Sequence, residues 1–236
     1  MGPIAGISAG AAAAAAGVFA WGAVAPSSQI FGRTIRRTGE PDAMALTFDD
    51  GPNPAVTPQL LELLHRYDAR ATFFLMGRHV RAFPALASEI AAQGHAIGNH
   101  TETHPRLIFL SSQRIAEELD SCREAIARAT GCEARWMRPP FGFRGPQLKG
   151  VVRRCGLAGV VMWSRWAWDW VPQPAERVIR RLRRAGGGDI VLLHDGNYRE
   201  LEGDRRHTVA ALEYWLPRWR DLGIRFVTTD EWKHQA

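Results

Sequence analysis

From residue 41 onward, apolar and polar positions alternate between two patterns. Short apolar runs at 43–49, 70–76, 95–100, 136–141, 159–164, 189–195 and 224–229 predict strands. Amphipathic stretches near 57–67, 80–93, 111–130, 146–155, 174–184 and 206–221 predict helices between them, and Gly and Pro mark the joins. Runs such as "GVVMW" and "IVLL" are continuously apolar, as parallel strands covered on both faces require. One series of strand–helix units, with no internal repeat and no long linker across 41–236, predicts a single α/β domain, either a (β/α) barrel or a doubly wound sheet. A chain of 236 residues that is 46% hydrophobic is long enough to bury a core for it.

The first 32 residues break the pattern. Met1–Gly32 carries no charged side chain, and "IAGISAGAAAAAAGVFAWGAVA" is almost wholly small and apolar. About 20 such residues span a bilayer. A signal or membrane-anchor segment is therefore expected over 1–32, with a linker at 33–40. "AVA" at 23–25 has the small residues of a cleavage site, but Pro26 follows at once and no Lys or Arg precedes the stretch, which favours an uncleaved anchor. Arg33, Arg36 and Arg37 follow directly and oppose export under the positive-inside rule.

Charge changes little in this picture. The net charge is +6, much of it arginine, but "AERVIRRLRR" reads as the solvated face of a helix whose Val178, Ile179 and Leu182 turn inward. No nucleic-acid motif uses the charge, and no protein partner is indicated. Cys122, Cys132 and Cys155 form no even framework and no C-x-x-C pair. Small buried hydrophobes are the plain reading, and a Cys122–Cys132 bridge stays open.

The polar residues fall selectively. Asp49, Asp50, His100, Arg138, Asp169 and His194 all lie at or just after the C-terminal ends of predicted strands. In a barrel, catalytic groups gather on that rim. "LTFDDGPNP" ends a strand on two adjacent carboxylates, which repel unless positive charge lies between them. "HTETH" at 100–104 sets two imidazoles at i and i+4, where a helical turn would place both on one metal; a solvated pair is the alternative. A thermolysin-like site is excluded, because Thr101 stands where that motif needs Glu. Adding Asp50 gives two histidines and a carboxylate, a donor set that leaves positions open for water and substrate.

In order, "TFDDGP" (47–52), "HTETH" (100–104), "RPPFG" (138–142), "WAWDW" (166–170) and "LLHD" (192–195) resemble the five motifs of the polysaccharide deacetylases, the NodB-like domains of carbohydrate esterase family four. The resemblance covers roughly 41–236. It implies a distorted (β/α) barrel of about seven parallel strands. It also implies a hydrolase that removes N- or O-linked acetyl groups from an acetylated glycan with one divalent metal, most often zinc, with cobalt, nickel or manganese as alternatives.

The resemblance further implies roles. Asp50, His100 and His104 ligate the metal, and Asp49 is the general base. Arg138 pairs with Asp49. His194 is the general acid, oriented by Asp169. Pro139, Phe141, Trp170 and Leu192 bind substrate. Phe141 replaces a more usual tyrosine and offers its backbone N–H to the oxyanion; Trp170 and Leu192 wall the acetyl pocket. Trp166 stands where the family usually has Asp. Hydrolysis of a non-sugar amide and non-catalytic glycan binding are the rival functions. A glycan substrate argues for a cell-envelope, extracytoplasmic domain held at the inner membrane by the N-terminal segment.

Overall fold

The computed structural model describes the backbone of residues 4–232 and side chains from residue 10 onward. The chain begins with α1 (Ile4–Val24), β1 (Thr34–Ile35), β2 (Ala43–Asp49), α2 (Thr57–Arg66) and β3 (Ala71–Leu75). Then come α3 (Gly77–Ala82), α4 (Pro84–Ala92), β4 (Ala96–Asn99), α5 (Ser112–Thr130) and β5 (Trp136–Met137). α6 (Leu148–Arg154), β6 (Gly159–Val161), β7 (Arg165–Trp166), α7 (Ala175–Leu182), β8 (Ile190–His194), α8 (Arg206–Asp221) and β9 (Arg225–Phe226) complete it.

The strands form one sheet in the order β1-β6-β5-β4-β3-β2-β8-β7, with β9 also paired to β2. All these strand pairs are parallel. The sheet curls because the segment from Gly159 to Trp166 pairs with β5 at its start and with β8 at its end. One stretch of chain thus nearly closes the ring, giving the expected distorted barrel.

The differences from the sequence pattern have local causes. β1 and β7 are two residues each, too short to carry a period. The expected linker at 33–40 contains β1, which pairs with β6, and Arg37, which bridges antiparallel to Asp189. The strand expected at 136–141 stops at Met137, because Pro139 and Pro140 have no N–H for a ladder and the chain turns into a 3-10 helix at Pro140–Gly142. The helix expected over 80–93 divides at Phe83 (φ −131°), since a residue preceding Pro is driven out of helical geometry. α5 starts on a Ser111 cap that accepts from the Arg114 N–H and ends on Gly131 at φ 70°. Among the described residues all three cysteines are free: Cys122 and Cys155 are buried and Cys132 is exposed.

The continuous apolar strands sort into two faces once the ring forms. On β2, Met44, Leu46 and Phe48 join the main core beneath the helices, with Phe73, Leu75, Val191 and Leu193 of the neighbouring strands. The alternate residues face inward: Ala43, Ala45, Phe74, Trp136, Val161 and Ile190 form a second core inside the barrel. Further along those inward positions come Thr47, Asp49, Leu192 and His194. The barrel is therefore apolar at its base and polar at its C-terminal rim.

α1 meets the domain at its C-terminal end. The Arg144 backbone N–H donates to the Ala23 carbonyl at 3.0 Å, and its buried guanidinium donates to the carbonyls of Ser28 (2.9 Å) and Ala25. A cation there satisfies carbonyls that a helix end leaves unpaired. Val18, Phe19, Trp21 and Val24 are exposed. Among the described residues, no helix is long and apolar enough to cross a membrane.

Gly98 on β4 is required by a close approach. A Cβ there would lie 2.3 Å from the ring of Phe74, which is fully buried and carries the Arg138 guanidinium 4.3 Å above it. Gly98→Ala is expected to cost about 1–3 kcal/mol of stability through overpacking, read as a lower urea midpoint, and to lower turnover by displacing Arg138. Wild-type stability would mean that the ring has room to move.

Candidate active site

The rim is assembled by register. Asp49 and His194 are cross-strand partners at the ends of β2 and β8. Asn99, at the end of β4, partners Met137, and His100 and Arg138 follow those residues directly. Asp169 arrives on the loop after β7. All six rim residues expected from the sequence are buried.

Arg138 has no solvent exposure. Its Nη1 donates to Asp49 Oδ1 at 2.8 Å and to Thr47 Oγ1 at 2.7 Å, while Nε and Nη2 donate to the carbonyls of Val161 and Met162. Asp49 is held through one oxygen, and its Oδ2 lies 3.8 Å from His100 Nε2. Asp50 follows at φ 70°. Both carboxylates reach the same imidazole nitrogen, His100 Nε2, which is 3.4 Å from Asp50 Oδ1. His79 Nδ1 lies 2.8 Å from the Asp50 carbonyl and holds that strained peptide.

His100 and His104 meet Asp50 at one atom. Asp50 Oδ1 is 3.4 Å from His100 Nε2 and 3.3 Å from His104 Nε2. It is buried and has no hydrogen-bond partner among the described residues. The three donors lie within 4.8 Å of one another, close enough to hold one metal ion. The expected helical turn is absent. Residues 100–104 form a loop with Thr101 at φ 68° and His104 at φ 61°. Side-chain bonds hold this loop: Asn99 Oδ1 accepts from the Thr101 N–H and Thr101 Oγ1 accepts from the His104 N–H. His100 Nδ1, 2.8 Å from the Arg138 carbonyl, is tied so that Nε2 faces Asp50.

The electrostatics separate the two rings. For His100, burial lowers proton affinity, but the Asp49 charge and then the Asp50 carboxylate beside it outweigh this, and the net direction is up. For His104, burial wins and pushes it down to about 3. Asp50 is depressed despite its burial, because the histidines around it favour the carboxylate. The Asp49 and Asp50 carboxylates thus favour positive charge at His100, and a cation can supply it as well as a proton.

Opposite lies His194. Asp169 accepts from it twice, Oδ1 with the ring Nδ1 at 3.0 Å and Oδ2 with the backbone N–H at 2.7 Å. Thr208 Oγ1 also donates to Asp169 Oδ2, at 2.9 Å. Burial alone would lower the His194 pKa. The Asp169 charge and hydrogen bond, then the Asp50 and Asp49 charges, overcome it and lift the ring to about 9.

These groups border a cleft of about 520 Å3, with Asp49, His100, His104 and His194 at its polar end. Leu192, Trp170 and Phe141 line it as expected. Pro139, expected at the substrate, is buried and does not line it; it instead precedes the turn that carries Phe141 at φ 58°. A larger cavity of about 620 Å3 lies by Gln29–Thr34 and Lys149, remote from these groups.

Three contributors escaped sequence reasoning. Tyr198, on the loop after β8, stacks on His104 with ring centroids 4.5 Å apart. His79 braces Asp50. Asp195 packs so tightly behind Gly51 that a Cβ there would lie 2.2 Å from its carboxylate, and it accepts from Thr57 Oγ1 at 2.5 Å. Burial, with the Asp50 and Asp49 charges adding to it, pushes Asp195 up to about 7 against the Thr57 bond. Asp195 belongs to the "LLHD" motif and could have been flagged there. Tyr198 and His79 carry no local signal.

A parallel barrel whose rim joins a potential metal cluster, an arginine-held carboxylate and a carboxylate–histidine pair defines a hydrolase-type site. The polysaccharide deacetylase family profile matches residues 36–160, and the chain belongs to that family of hydrolytic enzymes. It is 35% identical to a chitooligosaccharide deacetylase of Azorhizobium caulinodans over 203 residues, 83% of this chain and 96% of that one. It is 36% identical to a peptidoglycan-N-acetylglucosamine deacetylase of Bacillus cereus over 194 residues, 80% of this chain and 86% of that one. The solved structure of the Bc1960 peptidoglycan N-acetylglucosamine deacetylase superposes with TM-score 0.75 at 32% identity, covering 81% of this chain and 87% of that one. A CE4 family pseudoenzyme from Bacillus anthracis also superposes at TM-score 0.75, with 28% identity, covering 85% of this chain and 68% of that one. Fold alone therefore does not assign residue roles.

The His194–Asp169 pair can be tested directly. In the metal-free protein, NMR titration should find His194 protonated well above the usual histidine range. Asp169→Asn removes the opposing charge and should lower that pKa by roughly 1 to 3 pH units. The same value in both proteins would show that Asp169 does not hold the proton.

Proposed function

We propose that the chain is a metal-dependent deacetylase that hydrolyses N- or O-linked acetyl groups on a glycan, foremost an N-acetylated cell-wall or extracellular glycan. The observation that carries this reading is the division of the rim. Asp50, His100 and His104 converge on one point, while Asp49 and His194 flank it as cross-strand partners, each held by its own buried counter-charge.

Two imidazoles and one carboxylate suit zinc, with cobalt, nickel or manganese as alternatives, and the orphaned Asp50 Oδ1 fits a cation. When bound, such an ion supplies Lewis-acid polarisation and acidifies water. Asp49 takes the proton of the attacking water on the carboxylate oxygen that Arg138 leaves free. Arg138 fixes the other oxygen and prevents rotation. The Phe141 backbone N–H serves the developing oxyanion, which needs no particular side chain. Trp170 and Leu192 give the acetyl methyl an apolar wall. His194, tied by Nδ1 to Asp169, presents Nε2 to the leaving amine or alcohol and delivers the proton.

The names of the relatives, peptidoglycan and chitooligosaccharide deacetylases, support a sugar substrate. A polymer outside the inner membrane supports an extracytoplasmic domain, with the uncharged segment 1–32 as its proposed point of attachment.

Acetate release from a panel of acetylated glycans should stop with chelator and return with divalent metal. Asp49→Asn should cut turnover by roughly two to four orders of magnitude and keep the metal. Asp50→Asn should lose both. Equal metal loss in the two variants would reverse the assigned roles.

For placement, one reporter active only in the cytoplasm and another active only outside it can each be fused to Ala236. The outside reporter should give the signal. Signal from the cytoplasmic reporter alone would reject the extracytoplasmic placement.

A further inference from the structure

The two histidines of the cluster are supported differently. A metal-bound histidine ordinarily hands its second ring nitrogen to a carbonyl or carboxylate, which fixes the plane of the ring. His100 does this through the Arg138 carbonyl. His104 does not: its Nδ1 is buried and has no hydrogen-bond partner among the described residues. Its backbone is also in the left-handed region, where a bulky residue is strained. Yet its Nε2 points at Asp50 Oδ1 as well as that of His100 does.

Aromatic rings contact the imidazole instead. Tyr198 lies flat on the imidazole, with centroids 4.5 Å apart and planes within 19°. Phe141 meets it edge-on, also at 4.5 Å. Rotation of the imidazole about its ring torsion would drive it into Tyr198. The loop bearing Tyr198 is itself held: Arg78 donates to the Tyr198 carbonyl, and Asn53 Nδ2 donates to the carbonyls of Asp195 and Gly203 on either side. The Tyr198 hydroxyl faces away and accepts from exposed Arg199 at 2.9 Å, so it takes no part in the contact with His104.

We propose that Tyr198 is a positioning residue for the metal centre: its ring, not its hydroxyl, fixes the plane of His104 in place of the absent hydrogen bond. The inference rests on the metal-binding reading of Asp50, His100 and His104. It makes the loop after β8 part of the metal site as well as a wall of the cleft. It also predicts a site that tolerates any flat aromatic ring at 198 and no aliphatic one.

The test measures metal, not turnover. Zinc affinity is determined by chelator competition for wild type, Tyr198→Phe, Tyr198→Leu and Tyr198→Ala, with thermal unfolding of each metal-free protein as a check on the fold. The visible spectrum of the cobalt(II) form reports ligand geometry. Tyr198→Phe should match wild type in affinity and spectrum. Tyr198→Leu and Tyr198→Ala should bind zinc about 10- to 100-fold more weakly, the range that loss of a ligand's supporting contact produces, with a changed cobalt spectrum. Unchanged affinity in Leu and Ala variants that raise only KM would make Tyr198 a substrate contact and overturn the inference. Equal weakening in Tyr198→Phe would assign the effect to the hydroxyl and also overturn it. No zinc binding by wild type would instead reject the metal-binding reading on which the inference stands.

Discussion

The guanidinium of Arg138 is the interaction around which the barrel interior is arranged. It has no contact with solvent, and its donors go to Asp49, Thr47 and the carbonyls of Val161 and Met162. Those acceptors lie on β2 and on the segment that nearly closes the ring, so one side chain spans the barrel. A buried charge is tolerated only when paired and saturated with hydrogen bonds, and removing one partner of such a pair costs about 3–5 kcal/mol. Phe74 supplies the remaining face, 4.3 Å from the guanidinium. The constraint sets which oxygen of Asp49 is occupied and hence which one faces the cleft.

The rim concentrates negative charge. Asp49, Asp50, Asp169 and Asp195 are all buried there. Each has a different answer to burial: Arg138 for Asp49, two imidazoles for Asp50, His194 for Asp169, and the Thr57 hydroxyl alone for Asp195. Of these four, Asp195 has no cationic partner among the described residues, and burial pushes it up to about 7. In this setting the Asp49 and Asp50 charges raise the proton affinity of His100. The same field, with Asp169 foremost, lifts His194.

Backbone strain collects at the same place. Asp50, Thr101, His104, Phe141 and Trp168 all have positive φ. Such residues persist where surrounding contacts over-determine them, and they cluster at functional sites. Here the contacts are identifiable: His79 on the Asp50 carbonyl, Asn99 on Thr101, and Thr101 on His104.

Much of this was legible in the sequence. Apolar runs at 43–49, 70–76, 95–100 and 189–195 identified the central strands, because buried parallel strands need uninterrupted hydrophobicity. The polar residues at their C-terminal ends marked the rim, since chemistry-bearing side chains can escape the core only there. What the sequence could not give was anything that depends on contacts distant along the chain. A continuous apolar run hides its period, so only the closed sheet showed that Ala43 and Ala45 face inward while Met44 and Leu46 face the helices. β1 and β7 exist only because neighbouring strands pair with them. "HTETH" looked like a helical turn because i and i+4 meet on a helix; the left-handed loop reaches the same convergence through Asn99 and Thr101. Tyr198, some 94 residues from His104 by number, and Asp195 behind Gly51 became part of the site through packing alone. The sequence by itself picked out the polar groups that gather on the rim. The tertiary structure decided which neighbours hold them, because support is a matter of distance in space and leaves no spacing to read.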